Sequence, residues 1–200
     1  MMLFAQDVLS RNQGAEIIFD VKCSNHLKKI IEECGGKPLM WKTGHSLIKG
    51  KMKEANAPLA GEMSGHIFFS ERWYGFDDAL YSGARLLEIL MNMKANPAEV
   101  FAGLPQSVST PELKIDMPEA DHQTFMNALE DKISFDGAEI ITIDGFRVEF
   151  KDGWGLIRPS NTTPCLVVRF EADTAESLSR IQGQFKDLLL AIKPELKLPF

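Results

Sequence analysis

Three cysteines in 200 residues, Cys23, Cys34 and Cys165, are an odd number, and no two form a C-x-x-C pair. That argues against a zinc site or a disulfide framework, and each thiol reads as a small buried hydrophobe in a reducing cytoplasm. Basic residues are also in short supply. The 22 Lys and Arg stand against 28 Asp and Glu, giving a net charge of −6, so neither nucleic acid nor an anionic membrane is expected as a partner. No run of about 18 apolar residues exists, so no membrane-spanning helix is expected. The opening Met1-Met2-Leu3-Phe4-Ala5-Gln6-Asp7 lacks the basic region and long apolar core of a secretory signal. Internal repeats, low-complexity runs and charge blocks are missing too. What is left, 44% hydrophobic and 25% charged residues, is the composition of a soluble globular protein. The length suits one large domain or two ordinary ones.

The first half alternates strand and helix. Residues 2–11 read as a helix with no strand, turn or cap before it. Glu16–Val21 reads as an apolar strand. Ser24 then caps a helix over Asn25–Cys34 with Leu27, Ile30 and Ile31 at helical spacing, and Gly35-Gly36 ends it. Pro38–Trp41 reads as a strand and Ser46–Ala55 as a helix. Leu59-Ala60 leads into a polar loop, Gly61–His66. Asp77 or Asp78 caps a helix over Ala79–Met93, whose periodicity places Leu80, Ala84, Leu87 and Leu90/Met91 on an inward face. This pattern predicts an α/β domain with a mixed, largely parallel sheet over residues 1–105.

The character changes after Pro97, and Leu104–Pro111 reads as a linker rich in Pro, Ser and Thr. Beyond it the sequence predicts a strand at Leu113–Asp116 and a helix at Thr124–Lys132. Strands follow at Glu139–Ile143, Arg147–Phe150, Trp154–Ile157 and Cys165–Phe170. A last helix opens at Asp173-x-x-Glu176, with Leu178, Ile181, Phe185, Leu188 and Ile192 inward. Residues 106–200 thus read as an α+β domain with an antiparallel sheet and helices on one side.

Two hydrophilic runs stand out. Gly61-Glu62-Met63-Ser64-Gly65-His66 offers a carboxylate, a hydroxyl and an imidazole between glycines that permit close backbone approach, which suits sugar hydroxyls. A free imidazole titrates near neutrality, so His66 is a candidate for proton transfer. Arg158-Pro159-Ser160-Asn161-Thr162-Thr163 offers a guanidinium, short hydroxyls, an amide and backbone N–H groups, which suits a phosphate. By spacing alone the first also fits a polar turn, and the second an Asx or Ser turn in a hairpin. Together they suggest a phosphorylated sugar held at both ends. Lys22 and Thr43-Gly44-His45 each follow a strand, where ligands of parallel sheets gather; a solvated lysine and a structural histidine are the plainer readings. Trp73, Tyr74 and Phe76 are expected to pack under the sugar loop. His26 and His122 read as ordinary.

In order, Lys-Thr-Gly-His, Gly-Glu-Met-Ser-Gly-His and Arg-Pro-Ser-Asn-Thr-Thr resemble the sugar- and phosphate-binding loops of the α-D-phosphohexomutases. The Met between Glu and Ser is similar to the phosphomannomutase/phosphoglucomutase branch. The resemblance implies sugar contacts from Thr43, Gly44, His45, Glu62 and Ser64, phosphate contacts from Arg158, Ser160, Asn161 and Thr162, and cleft positions for Lys22 and His66 as catalytic groups. Thr163 stands where many members carry Glu. The resemblance also implies mannose or glucose 1-/6-phosphates as substrates, a hexose 1,6-bisphosphate as intermediate and activator, Mg2+, and a monomer in the cytoplasm. The family's phosphoserine loop, of Ser-His-Asn-Pro type, and its Asp-x-Asp-x-Asp metal loop do not occur in these 200 residues. The expectation is therefore a chain equivalent to the family's third domain, truncated at its amino end, followed by its fourth, and inactive alone. A self-sufficient phosphosugar isomerase using Glu62, His66 and Lys22, or a non-catalytic phosphosugar-binding module, are the alternatives.

Overall fold

The computed structural model describes residues 1–200 and divides them into two compact units, Met1–Pro105 and Gln106–Phe200. The first unit contains α1 (Met2–Leu9), β1 (Glu16–Asp20), α2 (Asn25–Glu33), β2 (Lys37–Trp41), α3 (His45–Glu54), β3 (Leu59–Gly61), β4 (Ile67–Phe69), α4 (Ala79–Met93) and α5 (Pro97–Ala102). Its four-stranded sheet runs β2-β1-β3-β4; β1 pairs in parallel with β2 and β3, and β4 returns antiparallel beside β3.

Both faces of this sheet are covered, so its strands are apolar on both sides rather than alternating with polar residues. Ile17, Phe19, Leu59 and Phe69 pack on one face against Val8 and Leu9 of α1, Leu27 and Ile31 of α2 and Ile89 of α4. Ile18, Ala60 and Phe68 pack on the other against Ile48 and Met52 of α3. Ser24 caps α2 as its sequence predicts, its side chain accepting from the His26 N–H.

Several boundaries differ. The first helix ends at Leu9 rather than at residue 11, and β1 ends at Asp20. Strand β4, following the polar loop, and the short α5 have no counterpart in the sequence reading; three residues carry too little periodicity to be seen. Asp78, not Asp77, caps α4, accepting from the Tyr81 N–H.

The inward face of α4 is the larger correction. Leu80, Leu87 and Met91 are 89%, 63% and 76% exposed, while Ser82, Arg85 and Ile89 are buried. The apolar stripe thus points to solvent, and a polar hub takes its place inside. Arg85 Nη2 lies 2.8 Å from both Asp7 Oδ2 and Glu71 Oε2, and its Nη1 donates to Tyr81 Oη at 3.1 Å. Its guanidinium sits 4.6 Å from the Phe69 ring centroid. Arg85 Nε is 3.3 Å from Glu88 Oε2, within ion-pair distance but not aligned as a hydrogen bond. Periodicity cannot anticipate this, because a charge becomes an inward residue only when its partners arrive from α1 and from the end of β4.

The second unit contains β5 (Val108–Ser109), β6 (Leu113–Asp116), α6 (Glu119–Glu130), β7 (Glu139–Ile141), β8 (Phe146–Phe150), β9 (Gly153–Pro159), β10 (Cys165–Ala172) and α7 (Ala175–Ile192). Its sheet is antiparallel throughout, ordered β5-β10-β9-β8-β7, with β6 also pairing β10. Phe146, Val148, Ile157, Leu166, Val168 and Phe170 form a core with Phe125 and Leu129 of α6 and Ile181, Phe185 and Leu189 of α7. The α7 N-cap is Thr174, whose hydroxyl accepts from the Ser177 N–H, rather than Asp173. The expected linker holds β5, and α6 begins five residues before its predicted start at Thr124. No helix is long and apolar enough to cross a membrane.

The Arg85 hub has a measurable signature. Hydrogen bonds from Arg11 and then Arg85 hold the Asp7 carboxyl below its ordinary value. Burial pushes the Glu71 carboxyl up, but hydrogen bonds and charge from Arg11 and Arg85 outweigh it and leave Glu71 lowered. Both carboxylates therefore stabilise the fold above the ordinary carboxylate range, and that stability is lost as pH falls through their lowered folded values. Arg85→Ala removes one of the two arginines that Asp7 and Glu71 share and leaves both carboxylates paired with Arg11, so it is expected to destabilise the first unit by about 1.5–3 kcal/mol, the scale of hydrogen bonds to charged groups. Urea unfolding followed through the stacked Trp73–Tyr81 pair reads this directly; a loss below about 1 kcal/mol, the scale of an exposed ion pair, would show that the hub is solvent-screened.

Candidate functional site

The register of the parallel strands puts three chain segments along one edge of the first sheet. Asp20 pairs with Trp41 and Phe19 with Gly61, so the carboxyl ends of β1, β2 and β3 lie side by side. From those ends issue Lys22, Thr43-Gly44-His45 and the Glu62–His66 loop.

Glu62 is 4% exposed. The Gly44 N–H donates to its Oε1 at 3.3 Å, and Ser64 Oγ donates to its Oε2 at 3.3 Å. Gly44 has φ +135°, a conformation that disfavours any side chain, and it opens α3. The helix amino end therefore faces a carboxylate, which it favours. Burial, then the Asp20 charge, push the Glu62 carboxyl above its ordinary value; His66, Lys22 and the Gly44 N–H pull the other way without cancelling them.

Lys22 is 5% exposed, with Nζ 3.7 Å from Asp20 Oδ2. It is held at the strand end, not solvated. His66 Nδ1 is 2.6 Å from Asp77 Oδ2. That contact fixes the ring orientation and leaves Nε2 as the edge for other groups. The adjacent aspartates thus divide their work: Asp77 orients His66 and Asp78 caps α4. The His45 and His66 rings lie 6.0 Å apart.

The aromatic residues do not pack under the loop. Trp73 stacks on Tyr81 of α4, centroids 4.4 Å apart and planes 6° from parallel, while Tyr74 and Phe76 are 76% and 58% exposed.

In the second unit Arg158 lies on β9 and is 4% exposed. Its Nε donates to Asp144 Oδ2 at 2.9 Å, and its Nη2 is buried without a hydrogen-bond partner. Asp144 sits in the β7–β8 turn beside Gly145, φ +73°. A Cβ at Gly145 would meet Ile157 O at 2.3 Å and Arg158 Cα at 2.6 Å, so this turn packs directly on the Arg158 backbone and requires glycine. In the following loop Ser160 Oγ accepts from the Thr162 and Thr163 N–H groups at 3.3 and 3.2 Å and shares a hydrogen bond with Thr163 Oγ1 at 2.8 Å. Thr163 therefore shapes the loop, and Asn161 is exposed at its tip. These long N–H contacts are ones an anion can replace with shorter, charge-assisted bonds.

Asp20, Asp77 and Asp144 are the groups that sequence reasoning missed. Asp20 had a signal: a carboxylate closing an apolar strand two residues before Lys22. Asp77 had the profile of a helix cap, and Asp144 that of an ordinary Asp-Gly turn.

The family model described as phosphoglucomutase/phosphomannomutase, alpha/beta/alpha domain III, matches residues 1–108, and the C-terminal domain model of the same family matches residues 112–188. The chain belongs to the phosphoglucomutase/phosphomannomutase family. It is 57% identical over 200 residues to the phosphomannomutase/phosphoglucomutase of Pseudomonas putida, covering all of this chain and 43% of that protein. A phosphoglucomutase of Neisseria meningitidis is 62% identical over 192 residues, 94% of this chain and 41% of its own length. A crystal structure of a family protein from Burkholderia thailandensis superposes with a TM-score of 0.93 at 57% identity, over 100% of this chain and 42% of that one. This family member thus spans well under half the length of the relatives it matches.

The raised Glu62 carboxyl has a stability consequence. Between the ordinary glutamate value and the raised folded one, the folded state binds more protons than the unfolded, so stability falls as pH rises across that interval. Glu62→Gln is expected to abolish this slope while keeping an acceptor for the Gly44 N–H. Thermal melts from about pH 4 upward, starting near the free glutamate pKa of about 4.3, would read it. A slope equal to that of the parent chain would place the titration elsewhere.

Proposed function

We propose that this chain is the carboxyl-terminal half of a phosphomannomutase/phosphoglucomutase that interconverts hexose 1-phosphates and 6-phosphates through a phosphoserine and a bisphosphate. The observation that carries the reading is the convergence of Glu62, Ser64, Gly44, Thr43 and Lys22 at aligned strand ends in a chain whose relatives bear that name. In this proposal the first unit recognises the sugar. Glu62 accepts from two neighbouring hydroxyls, with Thr43, His45 and Ser64 adding polar contacts. The second unit recognises phosphate through Arg158, Ser160, Asn161 and Thr162; a phosphate oxygen supplies the partner that Arg158 Nη2 lacks.

His66, oriented by Asp77, moves the proton of the attacking or leaving hydroxyl, and Lys22 stabilises developing negative charge. Mg2+ in such an enzyme would neutralise charge on the transferring phosphoryl group. No group of three or more His, Cys, Asp or Glu side chains in this chain could hold a metal ion, so its ligands belong outside these residues. The phosphoserine has the same place in the proposal. A monomer in the cytoplasm, with hexose 1,6-bisphosphate as activator, completes it.

The discriminating experiment is a mutase assay. The 200-residue chain is expected to show no turnover of glucose or mannose 1-phosphate above a contaminant control, and the full-length enzyme is expected to turn over both. Turnover by the chain alone would favour the self-sufficient isomerase. In the full-length enzyme Arg158→Ala is expected to weaken phosphosugar binding by about 2–4 kcal/mol, with Arg158→Lys recovering only part, because lysine lacks the planar fork. Unchanged KM and kcat in Arg158→Ala would remove Arg158 from the site.

Proton transfer gives a second test. His66→Ala is expected to lower kcat by about 10²–10⁴, leave phosphosugar Kd within a few fold and remove the acidic limb of the pH–rate profile. Asp77→Asn is expected to lower kcat by less than His66→Ala does, because the imidazole is kept and only its orienting partner is lost. An acidic limb that survives in His66→Ala and vanishes in a variant of a residue outside this chain assigns the base to that residue.

A further inference from the structure

We infer that Asp20 is the positioning residue of the hydroxyl clamp, a carboxylate at the end of β1 that ties the Lys22, Thr43–His45 and Glu62–His66 segments into one arrangement. The inference rests on the mutase reading, because it assigns Asp20 a part in hexose recognition.

Asp20 has no solvent-accessible surface. Its Oδ1 accepts from the Met63 N–H at 3.0 Å and from Cys23 Sγ at 3.1 Å. Its Oδ2 accepts from Thr43 Oγ1 at 3.0 Å and lies 3.7 Å from Lys22 Nζ. Four donors on three chain segments thus meet on one side chain. Met63 is the residue between Glu62 and Ser64, so the Met63 contact sets the curve of the clamp loop itself. Thr43 precedes Gly44, whose N–H returns to Glu62 Oε1. The two loops are therefore linked twice, once through each carboxylate.

A buried carboxylate is expensive unless its partners are specific. Here each partner belongs to, or adjoins, a residue of the candidate sugar site. Being inaccessible, Asp20 cannot touch a ligand; its effect passes through the residues it holds. A neutral amide cannot substitute, since Asn offers one acceptor oxygen where Asp20 uses two, and its NH2 would face donors. The charge matters as well as the shape. The charged groups facing Glu62 are Asp20, which raises its carboxyl along with burial, and Lys22 and His66, which lower it. Asp20 therefore holds the loop that carries Glu62 and adds to burial in making its carboxyl less ready to give up its proton.

Asp20→Asn and Asp20→Glu test this. In the 200-residue chain, the Glu62 carboxyl is followed by NMR titration while the melting transition reports folding. Asp20→Asn is expected to lower the Glu62 midpoint, a shift that a purely structural filler would not produce. In the full-length enzyme, Asp20→Asn is expected to lower kcat/KM by about 10²-fold for glucose and mannose 1-phosphates alike, the scale of roughly 1 Å of misplacement. Asp20→Glu is not expected to restore it, because the added methylene displaces the clamp loop. An unmoved Glu62 midpoint in a folded Asp20→Asn chain, or a parental kcat/KM in an active enzyme, would overturn the inference. If the parent full-length protein turns over neither sugar phosphate, the mutase reading falls and the titration alone decides the role of Asp20. Should Asp20→Asn not fold, Thr43→Val and Thr43→Ser in the ligand-free chain take its place. Valine is expected to move the Met63 amide signal and serine to leave it near the parental position; a Met63 signal unmoved by valine overturns the tie.

Discussion

The central place of β1 in the first sheet, with parallel neighbours on both sides, decides most of what the first unit can do. A strand buried on both faces must be apolar along its length, which Ile17, Ile18 and Phe19 satisfy. It can turn polar only where it leaves the sheet, and in a parallel sheet all strands leave at the same edge. The polar residues after β1, β2 and β3 therefore share an edge by geometry, however far apart they lie in sequence. Asp20 is the point at which apolar β1 becomes polar, and it is still within reach of the loops that follow both neighbours. The second unit has no such edge. In its antiparallel sheet Arg158 is placed on β9 by the strand alternation and held there by Asp144 from the adjacent turn.

Two groups of carboxylates give the first unit opposing dependences on pH. Asp7 and Glu71 are lowered by arginines and favour the folded state once ionised. Glu62 is raised by burial and Asp20 and disfavours the folded state once ionised. The first effect acts below the ordinary carboxylate range and the second above it, so the two groups oppose each other on either side of that range. The hub that stabilises contains no candidate site residue. The loop that destabilises at neutral pH contains the candidate clamp. That separation is the expected one where a site holds a charge for use rather than for folding.

Much of this was legible in the sequence, for identifiable reasons. The α/β then α+β order follows from strand and helix periodicity, and Ser24 could be named as a cap because capping is local. The polar runs at 61–66 and 158–163 could be singled out because they interrupt apolar strands. What stayed hidden is what depends on distant partners. The α4 stripe of Leu80, Ala84, Leu87 and Met91 has the spacing of an inward face, yet Arg85 faces in. Its charge is satisfied by Asp7, 78 positions away, and by Glu71. Tyr81 and Glu88 lie within the helix, but the two carboxylates that accept from Nη2 do not. Trp73, Tyr74 and Phe76 were misplaced for the same reason, since Tyr81 supplies the stacking surface that Trp73 prefers to the loop.

The residues missed at the site share one property: they act on other side chains. Glu62, His66 and Arg158 can be picked out because their own chemistry matches a sugar or a phosphate. Asp20, Asp77 and Asp144 are aspartates near turns, where aspartate is a common residue with a local structural use. Only the structure shows that each stands behind one of the three groups whose chemistry was visible: Asp20 behind the Glu62 loop, Asp77 behind His66 and Asp144 behind Arg158. A carboxylate in that position does two things at once. It restricts the orientation of its neighbour, which lowers the entropy lost when a ligand binds. It also adds negative charge beside groups proposed to meet an anionic ligand, which would oppose binding. The arrangement resolves the conflict by sequestering that charge: Asp20 is fully buried, and Asp144 is turned to Arg158 Nε, leaving the rest of the guanidinium for another partner. Orientation is gained at each of these two points while the carboxylate is buried or turned to a cation.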